Sequence, residues 1–112
     1  MKAIQYLIFA LTALMLMASP TWADSRRDAQ RVGAFAGAMK YCAEHDTGRE
    51  GRYKLARYRA FKEVNEMSSR RKLDALAARN FAYDRGRYWG RRLDRNHCRQ
   101  LLGASEWRRF FN

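Results

Sequence analysis

The chain is poor in the residues that interrupt helices and build strands. Its single proline is Pro20, so nothing from residue 21 onward is broken by a fixed φ. Valine and isoleucine are scarce, and no alternating β-branched run occurs, which argues against a sheet protein. After the first 18 residues there is no second long apolar run, so no later segment is expected to span a membrane. Serines 25, 68, 69 and 105 stand where helix caps would stand rather than beside a histidine base. No glycine-rich phosphate loop, no C-x-x-C-H haem attachment motif and no carboxylate pair spaced for hydrolysis is present. A non-catalytic role without a cofactor is therefore expected.

What is present begins with the N-terminus, "MKAIQYLIFALTALMLMASPTWAD". Lys2 supplies a short positive region, residues 3–18 are apolar apart from Gln5 and Thr12, and Thr21 and Ala23 are small. This is the pattern of a secretory signal peptide, residues 1–23, cleaved after Ala23. The apolar run is shorter than the roughly 20 residues a spanning helix needs. The expected mature domain is residues 24–112, a single unit located in the periplasm or secreted. A chain that small buries a limited core and gains from a covalent staple.

Export bears on the two cysteines. Cys42 lies in "KYCAEH" and Cys98 in "RNHC", each beside a histidine. An exported chain with an even number of cysteines is normally oxidised. A Cys42–Cys98 bridge would close a loop of about 57 residues, stabilising by roughly 4 kcal/mol at most in the chain-entropy model. The competing set, Cys42, His45, His97 and Cys98 around a metal ion, is rejected on spacing. Adjacent residues 97 and 98 diverge by about 100° on a helix, whereas zinc ligand pairs are usually separated by two to five residues. His45 is expected at a helix C-terminus, where partial positive charge is favourable.

The mature part reads as all-α: a small up–down–up bundle of three main helices plus a short C-terminal helix, stapled by Cys42–Cys98. Helix one covers about 25–44. One face carries Val32, Phe35, Met39 and Cys42, and another carries Ala29, Gly33, Ala36 and Gly37. Each interior glycine costs about 1 kcal/mol against alanine, so the glycine face is expected where another helix comes close, and helix one is expected to be central. "HDTGREG" is a loop. Helix two covers about 52–67, burying Tyr53, Ala56, Ala60, Val64 and Met67. Helix three runs from about 70 to 90. Its large face is Leu73, Leu76, Ala77, Phe81 and Tyr88, and its small face is Ala75, Ala78, Ala82 and Gly86, a natural partner for Gly33 and Gly37. Asn80 and Asp84 fall on the large face, where a carboxylate would need a partner. Asp94 is the N-cap candidate of the last helix, which carries Cys98, Leu101 and Leu102 and stops at Gly103. The terminal "EWRRFFN" is expected to lay its aromatics on the bundle.

Charge gives the functional lead. Lys plus Arg total 23 against 11 acids, a net charge of +12, and loss of the signal peptide removes only Lys2. Arginines alternate with aromatics, and Arg52, Arg57, Arg87, Arg91, Arg92, Tyr53, Tyr58, Tyr88 and Trp89 are expected to merge at the stapled end into one anion-binding surface. In the cytoplasm this would suggest nucleic acid. Outside it the abundant polyanions are lipid headgroups, envelope polymers and acidic proteins. The expectation is an exported helical protein that binds such a partner, with peripheral membrane contact. The alternative is a periplasmic chaperone or inhibitor of a protein target. A small metal-binding protein, an enzyme or an extracytoplasmic nucleic-acid binder ranks below both.

Overall fold

A computed structural model describes residues 25–103. The expected signal peptide and the C-terminal "EWRRFFN" lie outside the described residues. Helix α1 spans residues 25–45. A single 3-10 turn, Thr47–Arg49, leads into α2, Glu50–Asn65. Helix α3 is Ser69–Arg85, and α4 is Arg95–Leu102. Between α3 and α4 a two-stranded antiparallel hairpin is inserted, β1 Arg87–Tyr88 and β2 Arg91–Arg92. The molecule is thus the expected helical bundle with one small hairpin added.

Helix α1 is the centre. Every residue from Val32 to Met39 is buried, because α2 packs on one face and α3 on another. The α1·α3 contact is backbone against backbone. A Cβ placed on Gly33 would overlap the Ala75 carbonyl and come within 2.7 Å of the Ala75 Cα; one on Gly37 would stand 3.0 Å from the carbonyl carbon of Arg79. The glycines therefore meet Ala75, a member of the expected small face, and Arg79, next to Ala78 of that face. As partner numbers rise together along both helices, α1 and α3 run parallel, as an up–down–up path requires. Arg26–Asp74 and Asp28–Arg71 near the start of both helices, and Glu44–Tyr83 near their ends, agree with this.

The small face of α3 packs against α1 as expected, but the large face does not join the core. Ala75 and Ala82 are buried, whereas Leu73 is 68 % and Phe81 58 % exposed. Close approach of two helices selects the small side chains for the contact and turns the bulky ones outward. Asn80 and Asp84 turn outward with them, so Asp84 is not a buried carboxylate. Asn80 accepts from the neighbouring Arg79.

Helix α3 also ends five residues before the expected limit. Gly86 adopts φ +61°, and its N–H closes on the Ala82 carbonyl, a left-handed C-terminal cap. It has a second reason to be glycine, since a Cβ there would lie 2.8 Å from the Tyr41 ring. Asp94 caps α4 as expected, accepting from the His97 N–H at 2.7 Å. The path then returns Cys98 to Cys42, and the two form a disulfide with Cα atoms 5.7 Å apart. Both sulfurs are consumed, so the four-ligand Cys/His set has no thiolates to offer. Among the described residues no helix is long and apolar enough to cross a membrane.

Candidate anion-binding surface

The stapled end is built on a buried carboxylate. Asp46 follows α1 directly and is 3 % exposed. It accepts a hydrogen bond from the Tyr53 hydroxyl at 2.7 Å and from Arg99 Nε at 3.2 Å, with Arg95 Nε at 3.9 Å. The start of α2 and the face of α4 are thereby tied to the end of α1 beside the disulfide. The Arg99 hydrogen bond, then the Tyr53 hydroxyl, hold the Asp46 carboxyl below its ordinary value, outweighing the burial that opposes them. Burial, then the bond to Asp46, push the Tyr53 phenol well above its own. Asp46 escaped the sequence reading because it lies inside a loop-like "HDTGREG". The only signal was an acid placed among Arg49, Arg52, Arg95 and Arg99.

The hairpin stands on this base. Leu93 N–H donates to the Gly86 carbonyl at 2.8 Å, closing the loop at its root. Buried His97 uses Nδ1, which must carry the proton, to donate to the Arg92 carbonyl at 3.0 Å. Tyr88 is buried, with its ring centroid 6.3 Å from that of His97 and 6.2 Å from that of Trp89. Three inward groups, Tyr88, Leu93 and His97, thus hold the turn while its other side chains face out.

Those outward side chains are Arg87, Trp89, Arg91 and Arg92, all exposed. Their arrangement breaks two local rules. Arg87 lies directly opposite Arg92 in the strand register, and like charges across an antiparallel pair are destabilising. The two-residue loop is Trp89–Gly90, with φ +51° and +78°. Such loops favour Asn-Gly because both central residues need positive φ, and a bulky side chain there is a conformational outlier. Arg87 Nη1 donates to the Gly90 carbonyl at 2.9 Å, which fixes the turn. Among the described residues, none of Arg87, Arg91 and Arg92 is within ion-pairing distance of a carboxylate.

The other expected site residues divide. Tyr53 and Tyr88 are core residues, a correction: at their positions the helical or strand face points inward, and each ring fills space beside the staple. Arg57 lies close enough to Tyr83 of α3 to oppose the rise in its phenol pKa, which the Glu44 hydrogen bond drives. Arg79 stacks over Phe61 at 5.3 Å. Residues 57 and 61 of α2 thus meet 83 and 79 of α3 in antiparallel order, so the start of α2, with exposed Arg52, lies toward the end of α3 from which the hairpin leaves. Tyr58 belongs elsewhere. It lines an open groove on the outer side of α2 with Leu55, Arg59 and Lys62. His45 stacks on Tyr41 at 3.8 Å and uses Nδ1 against the Tyr41 carbonyl, terminating α1 as expected.

Comparison with protein-family models, with curated proteins and with solved structures finds no match to this chain.

Proposed function

We propose that this is an exported, non-catalytic helical protein that binds an anionic envelope partner through the arginines of its stapled end. The observation that carries the reading is the hairpin: Arg87, Arg91 and Arg92 are clustered, exposed and without a carboxylate partner among the described residues, on a turn that sets like charges opposite each other. A local arrangement that lowers the stability of the free protein, in a surface segment, is expected where a ligand repays the cost. An anion placed among the three guanidiniums would relieve their repulsion and gain charge-assisted hydrogen bonds. The N-terminal pattern supports cleavage after Ala23 and a periplasmic or secreted location. The test is binding of the exported protein to phosphatidylglycerol vesicles and to polyphosphate across a salt series. Affinity should fall steeply as the screening length shortens toward about 8 Å at physiological ionic strength. Absence of binding to both at low salt would remove this reading.

A second reading, a chaperone or inhibitor covering a protein target, is supported by a different observation. Leu73 and Phe81 are exposed two turns apart on the outside of α3, and Leu55 and Tyr58 are exposed on α2. Suppression of client aggregation that is lost in Leu73→Ser/Phe81→Ser would favour it.

A further inference from the structure

The tip of the hairpin carries more information than its charge. Trp89 sits at φ +51° and is 56 % exposed. Nothing in the turn requires an indole. The loop geometry would be satisfied better by asparagine, which tolerates positive φ. Among the described residues the ring meets one aromatic neighbour, the edge of Tyr88, and it is more than half exposed. A large apolar group is therefore held in an unfavourable backbone conformation at the farthest point of a rigid turn, with Arg87 on one strand and Arg91 and Arg92 on the other.

From this we infer that the hairpin is a membrane-interface anchor, with Trp89 entering the headgroup layer of an anionic bilayer while Arg87, Arg91 and Arg92 hold lipid phosphates around it. The inference rests on the anionic-partner reading and narrows it to a lipid surface. Trp combines a large apolar area with one N–H donor and is enriched at the membrane–water boundary for that reason. Arginine keeps its charge in that environment and binds phosphate through two parallel donors. The charge of the tip is complementary to an anionic leaflet and to nothing apolar. The two-residue loop leaves the indole little freedom to fold back, so most of the ordering needed for insertion is already present in the free protein. A soluble polyanion would need the arginines but not the apolar tip.

The test uses the full exported chain with vesicles of phosphatidylglycerol and phosphatidylethanolamine, and with inorganic polyphosphate as the soluble polyanion. Trp89→Asn is the informative variant because asparagine suits the turn. Its thermal midpoint should be unchanged or higher. Vesicle affinity should fall about tenfold, the equivalent of losing burial of one large apolar side chain, while polyphosphate affinity stays the same. In a Trp107→Phe background of the chain cleaved after Ala23, the Trp89 emission should shift to the blue on vesicles and be quenched by bromine-labelled acyl chains. Vesicle binding equal to that of the parent chain would overturn the inference, as would unquenched emission. An equal loss toward polyphosphate would also overturn it, since the ring would then be stacking on the polymer. If Arg87→Gln/Arg91→Gln/Arg92→Gln abolishes binding while Trp89→Asn does not alter it, the anionic-partner reading stands and the anchor falls. If the parent chain binds neither probe, both fall.

Discussion

Asp28 and Asp46 stand near the two ends of α1 and have similar partners with different consequences. Asp28 accepts from Arg31 and Arg71, at 3.2 and 3.1 Å, and its side chain is 27 % exposed. Asp46 accepts from Arg99 and Tyr53 and is 3 % exposed. At the open end, ion pairs with Asp28 and Asp74 engage Arg26, Arg31 and Arg71 and leave a mixed, screened surface. At the stapled end the acid is sunk into the structure beside the disulfide, and the hairpin arginines beyond it have no carboxylate partner among the described residues. The same residue types serve as surface neutralisation at one end and as a foundation for an uncompensated positive site at the other. Burial, more than composition, separates the two.

The largest effect expected from breaking this contrast is on the staple itself. Cys42→Ala/Cys98→Ala should lower the unfolding free energy by about 4 kcal/mol at most, read from a urea transition. The helix contact that aligns the two ends comes next. Gly33→Leu or Gly37→Leu must push α3 away from α1 and should cost about 3 kcal/mol, the upper end of overpacking. Gly51→Ala, with no atom within 4 Å of the new Cβ, should be neutral or stabilise by up to about 1 kcal/mol. Similar thermal melts for the three variants would mean that the helices are not in backbone contact.

A smaller pair of substitutions compares the two acids. Asp46→Asn should cost about 2 kcal/mol, as expected for hydrogen bonds to a buried charged group. Asp28→Asn should cost less than about 1 kcal/mol, as for an exposed ion pair. Acid sharpens the difference. Because folding lowers the Asp46 pKa, its contribution is fully present above the ordinary carboxylate value of 3.8 and is lost as pH falls through the lower folded value. Urea midpoints measured through the acid range should fall less steeply in Asp46→Asn than in the parent chain. Identical acid limbs would place Asp46 in solvent.

Much of this was legible from residues. The interior glycines announced a close helix contact, "RNHC" with Asp94 announced a capped helix, and chain length along each helix brought Cys98 back to Cys42. What failed has a common cause. Period counting on α3 matched the small face to the glycines correctly but also counted the bulky Leu73/Phe81 face as core, although both residues are exposed. It also ran α3 through Gly86, since periodicity registers a glycine as a weak helix residue and not as a left-handed cap. The hairpin was then invisible: "RYWGRR" has the spacing of a two-residue turn, with Trp in the place where Asn is expected. Asp46 was missed because its partners lie 7 and 53 residues away and assemble only in three dimensions.

The central claim is that location, and not net charge, makes the stapled end the binding surface. Two triple variants that remove equal charge decide it: Arg87→Gln/Arg91→Gln/Arg92→Gln at the hairpin and Arg26→Gln/Arg27→Gln/Arg31→Gln at the open end, each titrated with phosphatidylglycerol vesicles at low salt. The account predicts that the hairpin variant loses most of its binding while the open-end variant stays close to the parent chain, with thermal midpoints showing both folded. Equal losses from the two variants would contradict it.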